Sequence, residues 1–207
     1  MTAVGGDFYD FISLDDDTLG IAIGDVTDHG VPSALLMALT VTLLRAESRR
    51  EASPRDVLLS INRHLLEMTD TGMFVTMLYG ILDCQSREFV YARAGHEVPI
   101  LVDARGQAID LEYSSGQPVG LFPDPLLDEQ HLKLTSGSLL FLYSDGATDA
   151  CDGDGSRYGP EKLQAALQGC RRASAESICE DVWRSLEIHR CGEMQQDDVT
   201  LMAIKLE

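Results

Sequence analysis

Four aspartates in this chain share one local pattern, because each lies where an apolar, strand-like segment meets a turn. They are Asp7, Asp25, Asp145 and Asp197. Burying an unpaired carboxylate costs several kcal/mol, so a cation is expected beside such residues. Carboxylate oxygens suit Mg²⁺ or Mn²⁺, and four of them balance the charge of two divalent ions. Two such ions could activate a water and stabilise a phosphoryl transition state.

A purely structural role is the alternative for each of these aspartates. Aspartate favours turns because its side chain accepts hydrogen bonds from nearby backbone amides. That explanation is sufficient for any one of the four, but it accounts less well for all four at the ends of strands. The periodic pattern of the residues does not by itself indicate which reaction such a site would catalyse.

The segment 24–30, GDVTDHG, is central to the metal hypothesis. A strand predicted at 19–23 leads into it, and an apolar helix leaves it after Pro32. We therefore expect Asp25 to lie in the turn and to bridge two divalent ions. His29, near the end of the same turn, is a candidate for protonation or phosphate binding, with a structural role in the turn as the alternative.

Other kinds of site are less consistent with the sequence. It contains neither a GxxxxGK[ST] phosphate-binding loop nor a GxSxG nucleophile motif. The segment 152–156 begins like a calcium loop, but Arg157 occupies the position of the required glycine, so a polar loop is expected. His64 and His189 lie on predicted helices, where surface or boundary positions are expected.

An early hairpin must position the first of these aspartates. Residues 7–14 alternate in the manner of a strand, and Asp15, Asp16 and Asp17 form a polar turn before the strand at 19–23. Antiparallel pairing of the two strands could bring Asp7 and Asp25 together at one edge of a sheet.

The remaining pattern predicts two helices, then strands, then two more helices and a last strand. The first helix, from Pro32 to about Arg50, is apolar on nearly all sides. It is therefore either central to the fold or has a face for a partner or a second subunit. Ser53 and Pro54 begin the second helix, which ends before Gly72. The later strands are predicted at 74–82, 88–94, 99–102, 130–134, 139–143 and 201–206, and the later helices at 160–167 and 173–188.

Length and composition suit a single domain, 1–207, that is soluble and cytoplasmic. No apolar run approaches the roughly 20 residues that span a bilayer. The net charge of −18 argues against nucleic acid and anionic membrane surfaces as partners. The five cysteines show no CxxC pair, so free thiols are expected. They are Cys84, Cys151, Cys170, Cys179 and Cys191.

Taken together, seven motifs resemble the metal-dependent protein phosphatases (PPM, type 2C), in particular the bacterial branch typified by sporulation stage II E and stress-response phosphatases. They occur in the order of that family and cover nearly the whole chain. The motifs are GGDFYD (5–10), GDVTDHG (24–30), AGHEVPIL (94–101), PVGLFPD (118–124), LYSDGATDA (142–150), YGPEKL (158–163) and QDDVTL (196–201).

The resemblance implies an α+β fold, an αββα sandwich of two antiparallel sheets flanked by helices, with two Mn²⁺ or Mg²⁺ ions. Asp7, Asp25 and the Val26 carbonyl would hold one ion, and Asp25, Asp145 and Asp197 the other. Asp25 and Asp145 would then be the catalytic carboxylates. Substrate-contacting or supporting roles would belong to Asp28, His29, Gly146 and Asp198.

The implied reaction is hydrolysis of phosphoserine or phosphothreonine by direct attack of water, without a phosphoenzyme. Members of the family often act on phosphorylated anti-sigma-factor antagonists and commonly follow sensor or receiver domains. An alternative is a phosphatase-fold adaptor that has lost turnover and binds a sigma factor or its regulator. A phosphodiesterase or nuclease is disfavoured by the acidic charge.

The sequence departs from the family pattern in three respects. Asp28 stands where glycine is usual, although aspartate tolerates left-handed backbone better than most residues. Only residues 1–4 precede the first motif, where the family has its first strand, so we expect a domain that lacks this strand and was cut from a longer regulated protein. The phosphate-binding arginine of the eukaryotic relatives has no counterpart before Asp7.

Overall fold

A computed structural model describes residues 5–69, 72–113, 115–168 and 173–206. The predictions that concern residues 1–4 and Cys170 lie outside these ranges. The elements, in chain order, are β1 (Phe8–Ser13), β2 (Thr18–Val26), α1 (Val31–Glu47), α2 (Pro54–Met68), β3 (Val75–Asp83), β4 (Glu88–Ala94), β5 (Ile100–Val102), β6 (Ala108–Ile109), β7 (Asp128–Lys133), β8 (Leu139–Tyr143), α3 (Asp145–Thr148), α4 (Gly159–Leu167), α5 (Ala175–Arg190) and β9 (Leu201–Lys205).

The chain divides into two compact units, each built on one antiparallel sheet. The first unit comprises the residues up to His96 together with Tyr113–Lys133. It contains α1, α2 and a five-stranded sheet in the order β1-β2-β3-β4-β7. The second unit comprises Glu97–Glu112 and the residues from Leu134 onward, with α3, α4, α5 and a four-stranded sheet in the order β6-β5-β8-β9. The structure therefore has the two antiparallel sheets and the helices that the family resemblance predicts.

Strand β1 has the alternating pattern that the sequence predicts. Phe8, Asp10 and Ile12 are buried, whereas Tyr9 and Phe11 are exposed. The buried Asp10 carboxylate is bound by both Nε and Nη2 of Arg45 on α1, at 2.6 and 2.7 Å. This two-point contact satisfies a carboxylate that would otherwise be costly to bury, and it ties α1 to the sheet.

Strand β2 is longer than predicted. The predicted end at residue 23 is wrong, because Gly24, Asp25 and Val26 continue the pairing with β3. A Cβ at Gly24 would lie 2.5 Å from Cζ of Phe8, so glycine is required here by packing. Asp25 therefore lies near the end of a paired strand, not in the turn that follows.

Helix α2 begins where local chemistry predicts. The Oγ of Ser53 accepts a hydrogen bond from the Asp56 amide at 3.1 Å, and Pro54 occupies the first turn. Its buried stripe of Val57, Leu58, Ile61 and Leu65 belongs to the core of the first unit. The capping residues thus predict the start of this helix correctly.

Helix α1 ends at Glu47, three residues before the predicted Arg50. The buried Glu47 carboxylate accepts a hydrogen bond from Ser60 Oγ of α2 at 2.8 Å. This bond, and then the nearby Arg50 and His64, hold the pKa of Glu47 below its ordinary value. The helix ends at this contact with α2, and the chain continues to Arg50 as a turn.

Among the described residues, the apolar surface of α1 is covered on one side and open beside Leu35. Leu36, Thr40 and Leu44 are buried, but Leu35 is 68% exposed. A groove of about 270 Å³ runs beside it, lined by Pro32, Leu35, Leu36, Leu39, Thr69 and Met73. The sequence predicts either a helix that is central to the fold or one with a face left open, and the structure shows an open face.

We expect this open face of α1 to support a homodimer or partner contact, so Leu35→Gln should weaken self-association. Burying a leucine contributes about 1.5–3 kcal/mol, which corresponds to at least a tenfold change in a dissociation constant. Light scattering after size-exclusion chromatography over a concentration series measures this change. Ile188→Gln on α5, where Ile188 is 72% exposed, is the matched control. A wild-type protein that stays monomeric at every concentration would contradict the dimer.

The core of the second unit lies between its sheet and helices α4 and α5. Every residue of β8 is buried, and Phe141 and Tyr143 pack with Leu163, Val182 and Leu186. The predicted limits of β8 are confirmed, whereas α5 begins at Ala175 and ends at Arg190, two residues after the predicted limits at each end. Strand β6 was not predicted, since two residues carry no detectable alternation.

Two further predictions can be compared with the described residues. Cys84, Cys151, Cys179 and Cys191 are free thiols, as expected. Within the described ranges, no helix is both long enough and apolar enough to cross a membrane.

Candidate active site

The first pair of predicted metal ligands lies at one end of the β1–β2 hairpin. The strands pair with Phe8 opposite Gly24, and the Val26 amide extends this ladder by donating to the Gly6 carbonyl at 3.3 Å. In that antiparallel register Asp7 lies opposite Asp25, and both are partly buried. The Cβ atoms of opposite residues are about 4.5–5.5 Å apart. The hairpin therefore brings these two carboxylates together, as the sequence predicts.

Gly6 allows close approach of the backbone to two of the predicted donors. A Cβ at this position would lie 2.5 Å from the Val26 carbonyl oxygen and 3.1 Å from Oδ1 of Asp25. Both oxygens thus lie within about 3 Å of the position that a Cβ of residue 6 would take, so only the hydrogen atom of glycine fits there. The Ser33 hydroxyl of α1 lies 3.5 Å from the same Val26 oxygen. These hard oxygen donors fit a Mg²⁺ or Mn²⁺ ion.

The backbone of Asp25 is supported by residues for which the sequence predicts no role. Thr76 of β3 lies opposite Asp25, with its Oγ1 3.5 Å from the Asp25 carbonyl oxygen. The same Oγ1 lies 3.2 Å from Nδ1 of the buried His96. His96 belongs to the motif at 94–101, and this membership is a sequence signal for a role at the site. Nothing in the sequence distinguishes Thr76 from other strand residues.

The turn after β2 has the left-handed backbone that explains the usual glycine. Asp28 has φ 67°, and Gly30 has φ 92° before α1 begins. Aspartate is among the residues that adopt this conformation at low cost, so it can replace glycine here. The side chains of Asp28 and His29 are both exposed. Neither is therefore required for packing in this turn.

The second pair of predicted ligands lies in the second unit, and the predicted turn at Asp145 is wrong. Asp145 is the first residue of the short helix α3, and its carbonyl accepts from the Asp149 amide at 2.8 Å. A Cβ at Gly146 would lie only 1.9 Å from the Asp198 carbonyl oxygen. The segment 197–198 therefore packs directly on the start of α3, which brings it beside Asp145.

Asp197 is exposed and lines a cleft of about 330 Å³ in the second unit. Its Oδ1 accepts a hydrogen bond from the Asp198 amide at 2.8 Å, and its carbonyl accepts from Gln195 Nε2 at 2.7 Å. The cleft is also lined by Gly146, Asp149, Arg157 and Arg190. The sequence alone predicts no binding role for either arginine, because the cleft depends on long-range packing.

Within the ranges that the structure describes, no group of three or more His, Cys, Asp or Glu side chains is arranged to hold a metal ion. Each unit instead supplies a pair of predicted ligands, Asp7 with Asp25 and Asp145 with Asp197.

The polar loop at 152–156 has the structural role that the sequence predicts. The Asp152 carboxylate accepts from the amides of Ser156 and Asp154 at 2.9 and 3.0 Å. These bonds, the one from Ser156 foremost, lower the pKa of Asp152. His189 contacts the Ser156 carbonyl at 2.9 Å, and His64 contacts Glu47 at 3.5 Å. Both histidines are partly exposed boundary residues, as expected.

Comparison with known proteins decides the family. The model of the stage II sporulation protein E (SpoIIE) family matches residues 15–207. The chain belongs to the SpoIIE family. This membership confirms the resemblance to the bacterial metal-dependent phosphatases that the motif order indicates.

The SpoIIE-family chain is also similar to individual proteins. It is 32% identical over 230 residues to protein IcfG of Synechocystis, covering 98% of this chain and 36% of that protein. It is 29% identical over 203 residues to the phosphoserine phosphatase RsbU of Bacillus subtilis, covering 98% of this chain and 59% of RsbU. This chain thus spans between about a third and three fifths of those two relatives.

A solved structure of similar fold is the SiaA-PP2C domain of Pseudomonas aeruginosa, with a TM-score of 0.87 and 22% identity. The similarity covers 99% of this chain and 82% of that one. The SpoIIE-family chain therefore has the PPM phosphatase fold, and the predicted fold class is confirmed.

Proposed function

We propose that this SpoIIE-family domain is a Mn²⁺- or Mg²⁺-dependent phosphatase that removes phosphate from phosphoserine or phosphothreonine in a protein. The observation that supports it most is the placement of Asp7 opposite Asp25 beside the Val26 carbonyl, in a chain of this family. The oxygen atoms of these residues are hard donors of the kind that hold Mg²⁺ or Mn²⁺.

In this proposal Asp7, Asp25 and the Val26 carbonyl hold one ion, and Asp25, Asp145 and Asp197 hold the other. When bound, two such ions supply a nucleophile from water at neutral pH and offset the charge that develops on the phosphoryl group. Asp25 and Asp145 are accordingly the catalytic carboxylates.

The chain's own residues keep these donors in place. Gly6 and Gly146 let the backbone segments that carry these donors pack closely, since a Cβ at either position would clash with them. Thr76 with His96 supports the carbonyl of Asp25. Asp28, His29 and Asp198 flank the proposed ligands in the sequence, and we propose that they contact substrate or support the ligands.

The proposed substrate is a phosphoprotein of a bacterial signalling pathway, for example a phosphorylated anti-sigma-factor antagonist. Support comes from family membership and from the similarity to RsbU, whose name describes a phosphoserine phosphatase. We further propose that a receiver or sensor domain controls this domain within a longer cytoplasmic protein, in keeping with the greater length of the relatives.

A second function, a non-catalytic adaptor, is favoured by one observation. The open apolar face beside Leu35 on α1 is suited to contact with another protein, such as a sigma factor or its regulator. This face is compatible with a phosphatase as well, so turnover is what separates the two functions.

The deciding experiment measures turnover of an aryl phosphate and of a phosphoserine protein, with added Mn²⁺ and after chelation. The phosphatase proposal expects turnover of both substrates that is lost on chelation and restored by Mn²⁺. Tight binding of the phosphoprotein without turnover, in a protein that calorimetry shows to bind two ions, would favour the adaptor.

A further inference from the structure

The cleft of the second unit contains two arginines beside a proposed metal ligand. Arg157 and Arg190 line it together with Asp197, Gly146 and Asp149. The proposed metal centre uses neither arginine. Two guanidinium groups in one cleft are suited to bind an anionic group.

Arg157 is anchored one helical turn from Asp145. Its Nη1 lies 2.8 Å from Oδ1 of Asp149, whose amide donates to the Asp145 carbonyl. Four residues of helix rise about 6 Å along the axis, so Asp149 lies roughly that far from Asp145. Arg157 is 68% exposed, and exposed ion pairs contribute only about 0–1 kcal/mol. A carboxylate from a ligand can therefore take the place of Asp149.

Arg190 is a buried cation with unused hydrogen-bonding capacity. It lies over the Trp183 ring at 5.1 Å, and its Nη2 binds Glu187. Its Nη1 reaches Gln195 only at 3.5 Å, and its Nε has no hydrogen-bond partner among the described residues. Burying a guanidinium that is not fully paired is costly, so an anion entering this cleft is favoured.

The overall charge makes such a local attraction useful. At a net charge of −18 the protein repels a phosphoprotein substrate, and the proposed carboxylate ligands add to this repulsion where no cation is bound. Arg157 and Arg190 place positive charge in the same cleft as Asp197.

We propose that Arg157, with Arg190 beside it, binds a glutamate or aspartate carboxylate two residues from the phosphoserine of the substrate. This inference rests on the proposed phosphatase function. In an extended peptide, side chains two residues apart point to the same face and are about 6.5–7 Å apart. This spacing is close to the helical rise of about 6 Å from Asp145 to Asp149. Arg157 exchanges its bond to Asp149 for one to this carboxylate, and substrates with that residue are preferred.

The test uses phosphoserine peptides that carry Glu or Gln two residues before or after the phosphoserine. The readout is the ratio of kcat/KM for the Glu peptide to that for the matching Gln peptide, so general losses of activity cancel. We expect the wild-type ratio to be about 10 for at least one of the two positions, as for a charge-assisted hydrogen bond, and to fall to about 1 in Arg157→Gln.

Arg184→Gln is the matched control, because Arg184 is 66% exposed and binds Asp181 at 2.7 Å, away from this cleft. It should keep the wild-type ratio. Turnover by the wild type with equal rates for Glu and Gln peptides, or an undiminished ratio in Arg157→Gln, would overturn this inference and leave the phosphatase proposal standing.

A binding measurement tests the carboxylate site in the case that the protein shows no phosphatase turnover. Fluorescence anisotropy of the same labelled peptides reports affinity whether or not they are hydrolysed. A wild type without turnover that still binds the Glu peptide more tightly, with this preference lost in Arg157→Gln, would refute the phosphatase and support the carboxylate site. Absence of both turnover and preference would refute both.

Discussion

Replacing Asp25 with asparagine is expected to lower metal-dependent turnover by about 100- to 1,000-fold, because several kcal/mol of transition-state stabilisation depend on the ions. Asp25 is the carboxylate that we propose to be shared by both ions, and it lies opposite Asp7 in the hairpin register. Asparagine keeps the shape but removes the charge. Measurement of kcat/KM over a Mn²⁺ titration, with an aryl phosphate and a phosphoserine protein, tests the prediction.

Thermal unfolding gives a readout of this variant that is independent of turnover. Mn²⁺ should raise the melting temperature of the wild type by mass action, and this rise should be much smaller in Asp25→Asn. Asp16→Asn, in the exposed turn of the same hairpin, is the control. Unchanged rates in Asp25→Asn and in Asp145→Asn would contradict the site assignment.

Replacing Gly146 with alanine is expected to destabilise the protein by about 3 kcal/mol or more and to reduce turnover. The added Cβ would lie 1.9 Å from the Asp198 carbonyl oxygen, a backbone atom that cannot turn away. Either α3 or the segment 197–198 must move, which separates Asp145 from Asp197. Urea denaturation and kcat/KM under saturating Mn²⁺ measure the two effects.

Gly153→Ala is the control for this variant. The nearest atom to its added Cβ is the flexible Glu193 Oε1 at 3.5 Å, so a change within about 0.5 kcal/mol is expected. A Gly146→Ala protein with wild-type stability would show that the close contact between α3 and residue 198 does not contribute to stability. Wild-type turnover despite a loss of stability would show that this contact does not position the ligands.

The sequence by itself determined the elements whose signals are local. The cap at Ser53 and Pro54 specified the start of α2, and alternation specified the buried face of β1. Strands β4 and β8 have both predicted ends, because polar residues or glycine bound each run. The order of seven motifs along the chain was enough to indicate the family, since motif order does not depend on where the motifs lie in space.

The tertiary structure alone decided features that depend on contacts between distant segments. Strand β2 extends to Val26 because β3 supplies its hydrogen-bond partners, which places Asp25 in a strand. Residues 197–198 meet Gly146 from about 50 positions away in the chain, and Thr76 meets Asp25 in the same manner. Burial and hydrogen bonding between such segments leave no periodic trace in a sequence. For that reason the four aspartates were recognisable as candidates, whereas Thr76 and the arginines of the cleft were not.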